Sequence, residues 1–236
     1  YRFNFTKDDN PSSHWSYLYS IIQNCNLILM NIDKLVIDED DKAYRDDLKG
    51  EALAIRGLAL FDLTRIFGYP YLKDDGASLG VPIIEGLSTI DSKPTRNTVA
   101  QCYTKIIDDL TQSLSLLGEK FNKGKINKWG AMVLLSRVYL YKGENANALK
   151  MASDAIIGAE KNKYALWTNE DYPTAWGEDA SASKPGEVLF EIVNLTTDSP
   201  GKESMGYLNS YDGYDDMCIT CSFYQFLKED PKDIRL

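Results

Sequence analysis

Glu51-Ala-Leu-Ala-Ile-Arg-Gly-Leu-Ala-Leu-Phe-Asp-Leu-Thr-Arg-Ile-Phe-Gly68 decides the fold class. Ala52, Ile55, Ala59, Leu63 and Ile66 recur at three- and four-residue intervals, which predicts a helix from about Asp46 to Phe67 with one apolar face. Gly68 stops it, and Pro70 keeps it from resuming. Ala52, Ala54, Gly57 and Ala59 remove side-chain bulk, so a neighbouring helix can approach closely.

Outward from this helix the same period returns. Leu18, Ile21, Ile22, Cys25, Ile28, Leu29, Ile32 and Leu35 predict a first helix from Trp15. Val99, Tyr103, Ile106, Ile107, Leu110, Leu114 and Leu117 predict a third, opened by Thr98-Val-Ala-Gln101 as a capping box and ended by Gly118. Asn127 caps a fourth, Lys128 to Lys142, whose Trp129, Val133, Leu134, Leu135, Val138 and Tyr141 cover more than one face, so it is expected to be central. Gly143 breaks it, and a fifth runs from Asn145 to Ala159. Paired helices joined by short turns, with small residues at their contacts, predict a mainly α fold of tetratricopeptide-like antiparallel repeats. No strict repeat period runs along the chain.

Two stretches lack helical period. Residues 68–96 carry Gly76, Gly80, Gly86, Pro82 and Pro94 around an extended piece, Val81 to Ile84; a loop of this length is often functional. After Lys161 the chain turns aromatic and polar. Glu187-Val-Leu-Phe-Glu-Ile-Val193 reads as a strand or extended segment, and a short helix is expected around Phe223 to Leu227. The expected organisation is a helical scaffold over 1–160 and an irregular, loop-rich lobe with short strands over 161–236, packed as one unit.

Composition narrows the chemistry. There are 26 Lys and Arg against 35 Asp and Glu, a net charge of −9, which repels a phosphate backbone, so no nucleic-acid partner is expected. No apolar run is long enough for a membrane-spanning helix. The single histidine, His14, leaves no imidazole pair for a metal site or triad, and no glycine-rich phosphate loop is present. No cofactor is expected. Cys25, Cys102, Cys218 and Cys221 are too scattered for a disulfide scaffold and read mostly as small core residues. Asp38-Glu-Asp-Asp41 reads as a solvated turn.

Sugar recognition asks for flat aromatic faces beside amide or carboxylate groups that hold hydroxyls. Tyr172 and Trp176 lie in one loop with Asn169, Asp171 and Asp179. Tyr207, Tyr211 and Tyr214 lie in another with Asn209, Asp212, Asp215 and Asp216. Trp176 is the leading platform, and Trp167 is read as structural. Trp15, at a helix entrance, can face a ligand or staple the helix. Asp212-Gly-Tyr-Asp-Asp216 has calcium-type oxygens but not an EF-hand spacing.

Four blocks resemble the SusD/RagB family of outer-membrane nutrient-binding lipoproteins. They are Trp15 with Leu18, Tyr19, Ile22 and Asn24 to Leu27; Glu51 to Gly68 followed by Gly80-Val-Pro-Ile-Ile84; Arg96-Asn-Thr-Val99 with Tyr103, Ile106, Asp109 and Leu110; and Glu187 to Ile192. The resemblance implies an outward-facing lipoprotein of Bacteroidetes-type bacteria. Such a protein captures oligosaccharide or another nutrient without catalysis and delivers it to a SusC-like TonB-dependent transporter. Members of the family are about twice this length, so a lipidated N-terminal segment and later helices are expected beyond this chain. Two other readings stay open at this point: a helical-repeat interaction scaffold without glycan affinity, and an all-helical glycoside hydrolase.

Overall fold

A computed structural model describes residues 12–89, 91–121, 124–175, 186–193, 197, 201–215 and 219–233. Five long helices carry the fold: α1 (Ser12–Asn31), α2 (Lys42–Phe67), α3 (Val99–Leu114), α4 (Lys128–Lys142) and α5 (Asn145–Lys161). Each packs mainly on its neighbours in sequence, α1 on α2, α2 on α3, α3 on α4 and α4 on α5. That serial stacking is the tetratricopeptide-like arrangement the periodicity predicts. Three short helices follow: α6 (Tyr172–Ala175), α7 (Met205–Asn209) and α8 (Cys221–Leu227).

The caps form as their sequences dictate. Thr98 Oγ1 accepts the Gln101 N–H at 3.2 Å, while Gln101 Oε1 accepts the Thr98 N–H at 2.9 Å, completing the capping box of α3. Asn127 Oδ1 accepts the Gly130 N–H at 3.1 Å at the start of α4.

The core joins Ile22 of α1, Leu60, Phe61 and Leu63 of α2, Ile106 and Leu110 of α3, and Leu135 and Val138 of α4. Contacts depend on small residues as much as on large ones. Gly57 of α2 faces Leu110, where a β-carbon would stand 3.2 Å from Cγ. Gly158 of α5 lies flat on the Trp129 ring, where a β-carbon would fall 2.1 Å from the indole and could not fit. Because α5 turns Ala148, Ala155, Gly158 and Ala159 inward, its Ile156 faces solvent. Ile66 of α2 and Val133 and Tyr141 of α4, expected on packed faces, are also exposed. Close helix approach through small residues displaces the larger side chains to the flanks.

A polar group sits inside this apolar packing. Arg56 of α2 donates from Nε and Nη2 to the two carboxylate oxygens of Asp109 on α3, both at 2.7 Å, and from Nη1 to Asn26 Oδ1 on α1 at 2.8 Å. Asn26 Nδ2 then donates to the carbonyls of Ile84 and Gly86 at 2.8 and 3.0 Å. Lys105 adds a second cation 3.2 Å from Asp109 and 2.5 Å from Glu85. Asp109 and Asn26 are fully buried.

The segment between α2 and α3 is long but anchored. Arg96 donates to the carbonyls of Gly80 and Phe67 at 2.5 and 2.6 Å, and Asn97 Oδ1 accepts the Ile83 N–H at 2.9 Å. Leu79 and Thr98 form the one isolated antiparallel bridge seen among the described residues. Residues 187–193 run as irregular extended chain without a strand ladder, their Leu189 and Phe190 packing on the scaffold. Cys25 and Cys102 are buried thiols, as read, whereas Cys221 is exposed on α8; Cys218 lies outside the described residues.

Removing Asp109 leaves the Arg56 guanidinium buried without its counter-charge, so Asp109→Ala is expected to destabilise the fold by about 3–5 kcal/mol. Urea denaturation of the variant measures this. Burial raises the Tyr19 phenol above its ordinary range and pushes Tyr103 up to about 12. Both remain protonated in the folded state after the unfolded chain has ionised near pH 10, so stability is present below that pH and falls as pH rises towards 12. Alkaline unfolding should therefore steepen in that window and be delayed in Tyr103→Phe.

Candidate ligand-binding surface

The residues read as a sugar site fall into separate structural settings. Trp176, the leading platform, lies outside the described residues. Tyr207 stands on α7, and Tyr211, Asp212 and Tyr214 follow on the compact turn after it. Ser204 Oγ accepts the Tyr207 N–H at 3.1 Å and caps α7. The Tyr214 N–H then returns to the Tyr207 carbonyl at 3.0 Å, and the Gly213 N–H to Ser210 at 3.0 Å. These two bonds fold residues 207–214 into a loop whose ends meet.

Ring packing supports the same closure. Tyr207 and Tyr214 stand edge to face, centroids 5.1 Å apart and planes at 83°, a favourable quadrupolar arrangement. Tyr211, at the tip between them, keeps 90% of its surface open to solvent, and Asp212 beside it is exposed. An exposed ring with a carboxylate next to it in sequence supplies the two group types sugar recognition uses, a face for the C–H side of a pyranose and an acceptor for its hydroxyls. Asp216 of the calcium-type motif lies outside the described residues; among the described residues no group of three His, Cys, Asp or Glu side chains could hold a metal ion.

Tyr172 opens α6, where its N–H bonds to Thr168 at 2.9 Å, and its ring is half-buried. Trp167 is structural, as read: its indole lies against Gly186, whose φ of +57° and close approach leave no room for a β-carbon.

Trp15, read as either a ligand platform or a helix staple, packs at the helix entrance and also borders a cleft. It packs on Tyr19 and edge-on to Phe67, each at 4.9 Å, which fixes the entrance of α1 on the end of α2. Its other side lines a cleft of about 350 Å³ with Tyr19, Gln23, Pro82, Ser88 and Pro94. Gln23 is paired with Ser88 through two hydrogen bonds, at 2.9 and 3.1 Å. Sequence reading missed this cleft because its far wall comes from the 82–94 segment, whose position depends on the buried Asn26 contacts and not on any local pattern.

Known proteins agree with this architecture. Residues 2–140, more than half of the chain, match the SusD-like family described as "Starch-binding associating with outer membrane". The chain belongs to the SusD-like family. A SusD-like protein of Bacteroides ovatus is 28% identical over 135 residues, 56% of this chain and 23% of that one. A solved Bacteroides vulgatus structure, named "putative sugar binding protein", is 80% identical with a TM-score of 0.92 and covers 100% of this chain and 53% of its own. A laminarin-binding SusD-like protein is 26% identical, covering 60% of this chain and 29% of its own, with a TM-score of 0.51. The chain thus spans about half the length of the first of these structures. Among the described residues no helix is long and apolar enough to cross a membrane.

Gly213 sets the tyrosine loop. A β-carbon there would fall 1.8 Å from the Tyr207 carbonyl oxygen, so Gly213→Ala must open the turn. Faster chymotryptic cleavage at Tyr207, Tyr211 and Tyr214, with an unchanged global unfolding midpoint, is the expected outcome.

Proposed function

We propose that this SusD-like chain is part of a non-catalytic, outward-facing glycan-binding lipoprotein that captures oligosaccharide on tyrosine-bearing loops and delivers it to a TonB-dependent outer-membrane transporter. In this reading residues 1–160 supply the rigid scaffold and residues 161–236 the ligand-contacting lobe. The carrying observation is Tyr211, exposed over 90% of its surface at the tip of a loop closed by the Tyr207–Tyr214 pair, with Asp212 alongside. An open tyrosine ring is free to stack on the apolar face of a sugar while its hydroxyl stays in water. Support also comes from the 80% identical relative named for sugar binding and from the laminarin-binding member of the same family.

A capture protein must also release its cargo, which favours a few aromatic contacts on an open surface over a deep dry pocket. The non-catalytic reading is supported by the sugar-binding and laminarin-binding names of the relatives, while the single histidine of the sequence leaves no imidazole pair for a metal site or triad. Trp176 and Tyr172 belong to the same proposed surface on sequence grounds, and Trp15 offers a second aromatic wall at its own cleft.

Calorimetric titration with laminari- and xylogluco-oligosaccharides tests the reading. Tyr211→Ala is expected to weaken binding by about 0.5–1.5 kcal/mol, the worth of one aromatic contact, with no change in the unfolding midpoint. Equal affinity in the variant would remove the tyrosine loop from the site, and reducing-end release by the wild-type chain would overturn the non-catalytic reading.

A further inference from the structure

A groove of about 440 Å³ runs between α1 and α2, away from the tyrosine loop in the sequence and from the Trp15 cleft in its lining. Its floor and walls are apolar: Cys25, Ile28 and Ile32 from α1 and the turn after it, Leu35, and Ala52 and Ile55 from α2. Ile28 is 45% exposed, Leu35 57% and Val36 fully so, which is more aliphatic surface than one open corner ordinarily leaves in water.

Two polar side chains, Asn31 and Glu51, interrupt the lining. Glu51 Oε1 is buried and accepts no hydrogen bond, and its ion pair with Lys125 is long at 3.5 Å. Burial raises this carboxyl's pKa despite Lys125. An additional donor at the groove would satisfy the oxygen and offset its desolvation.

The rim has a definite sign. Between Asp33 and Asp47 the sequence places seven carboxylates against three cations, and Asp38, Glu39, Asp40 and Asp41 are all exposed on the connection between Leu35 and Leu48, which both line the groove. A second copy of this chain would bring that acidic rim against itself, on a protein of net charge −9. An acidic partner is excluded on the same ground. An apolar slot with an acidic rim and a carboxylate short of a donor fits a helix with aliphatic residues on one face and Lys or Arg flanking them.

We propose that the α1–α2 groove is a docking site for a basic amphipathic helix of a partner protein, its aliphatic face on Ile28, Ile32, Leu35 and Ile55 and a cation directed to Glu51. The inference stands on the groove and its charges and does not depend on glycan binding.

Two fluorescent synthetic peptides of about five helical turns test it, with the same leucine face and either Lys or Glu on the flanks, titrated by anisotropy into the full-length protein. The Lys peptide should bind at least ~10-fold more tightly than the Glu peptide and weaken as salt is raised. Leu35→Ser and Glu51→Gln should each weaken the Lys peptide several-fold, while Leu149→Ser, on the exposed face of α5, should leave it unchanged. Equal binding of both peptides, no binding of either, or an equal effect of Leu149→Ser would overturn the proposal. So would self-association in sedimentation that Leu35→Ser abolishes, because the occupant would then be a second copy.

Discussion

The bidentate pairing of Arg56 with Asp109, completed by Asn26, is the constraint on which the scaffold depends. It joins three consecutive helices through one buried guanidinium. A guanidinium and a carboxylate give up several kcal/mol of hydration each when buried, and only good geometry with every donor occupied compensates. Such a group is a poor source of net stability compared with well-packed aliphatics. Its contribution is position: the fork of Arg56 fits two oxygens on α3 and one on α1 only when the three helices have one register.

That register extends to the loops. Asn26 passes the network on to the Ile84 and Gly86 carbonyls, and Lys105 links Asp109 to Glu85, so the 83–86 segment is held from beneath. With Arg96 and Asn97 securing the rest, a connection without regular structure becomes a fixed wall facing Trp15. The tyrosine loop is built differently. Its closure uses its own backbone bonds and the Tyr207–Tyr214 ring pair, so it can yield locally without cost to the helices. Rigid wall and compliant tip are complementary ways of presenting an aromatic surface.

Much of the scaffold was legible because it is local. Helix periods, the Thr98–Gln101 box and the Asn127 cap depend on residues within one turn of each other, and all form as read. Which face of each helix is buried was less legible. Ile66, Val133 and Ile156 have the hydrophobicity of core residues, but small neighbours such as Ala155 and Gly158 win the inner positions by permitting closer approach. The polar network was the least legible. Asn26, Arg56 and Asp109 all stand within the blocks of family resemblance, yet each alone reads as an ordinary surface residue on its helix. Only tertiary packing shows that they meet. At the candidate site, sequence could group Tyr207, Tyr211 and Tyr214 by proximity, but not foresee that two of them would pack edge to face and leave the third the most open.

The exposed aliphatics follow from the same packing rule. Within residues 12–161, α2, α3 and α4 each pack on two neighbouring helices, whereas α1 packs on α2 and α5 on α4. When contacts are made by Ala and Gly, large side chains on α1 and α5 have no inner position to take. They collect outside, as Ile28 on α1 and Leu149, Ile156 and Ile157 on α5. Exposed aliphatics on the two outer helices of this stretch do not by themselves name a partner. What distinguishes the α1 edge is chemistry added to that geometry: a concave floor, a buried carboxylate oxygen held only by a long contact to Lys125, and an acidic connection at its border. The α5 edge has the aliphatics but pairs Lys150 with Asp154 across its surface, which leaves no net sign to select a charged partner. Specific recognition therefore belongs to the edge where hydrophobic surface and unbalanced charge coincide.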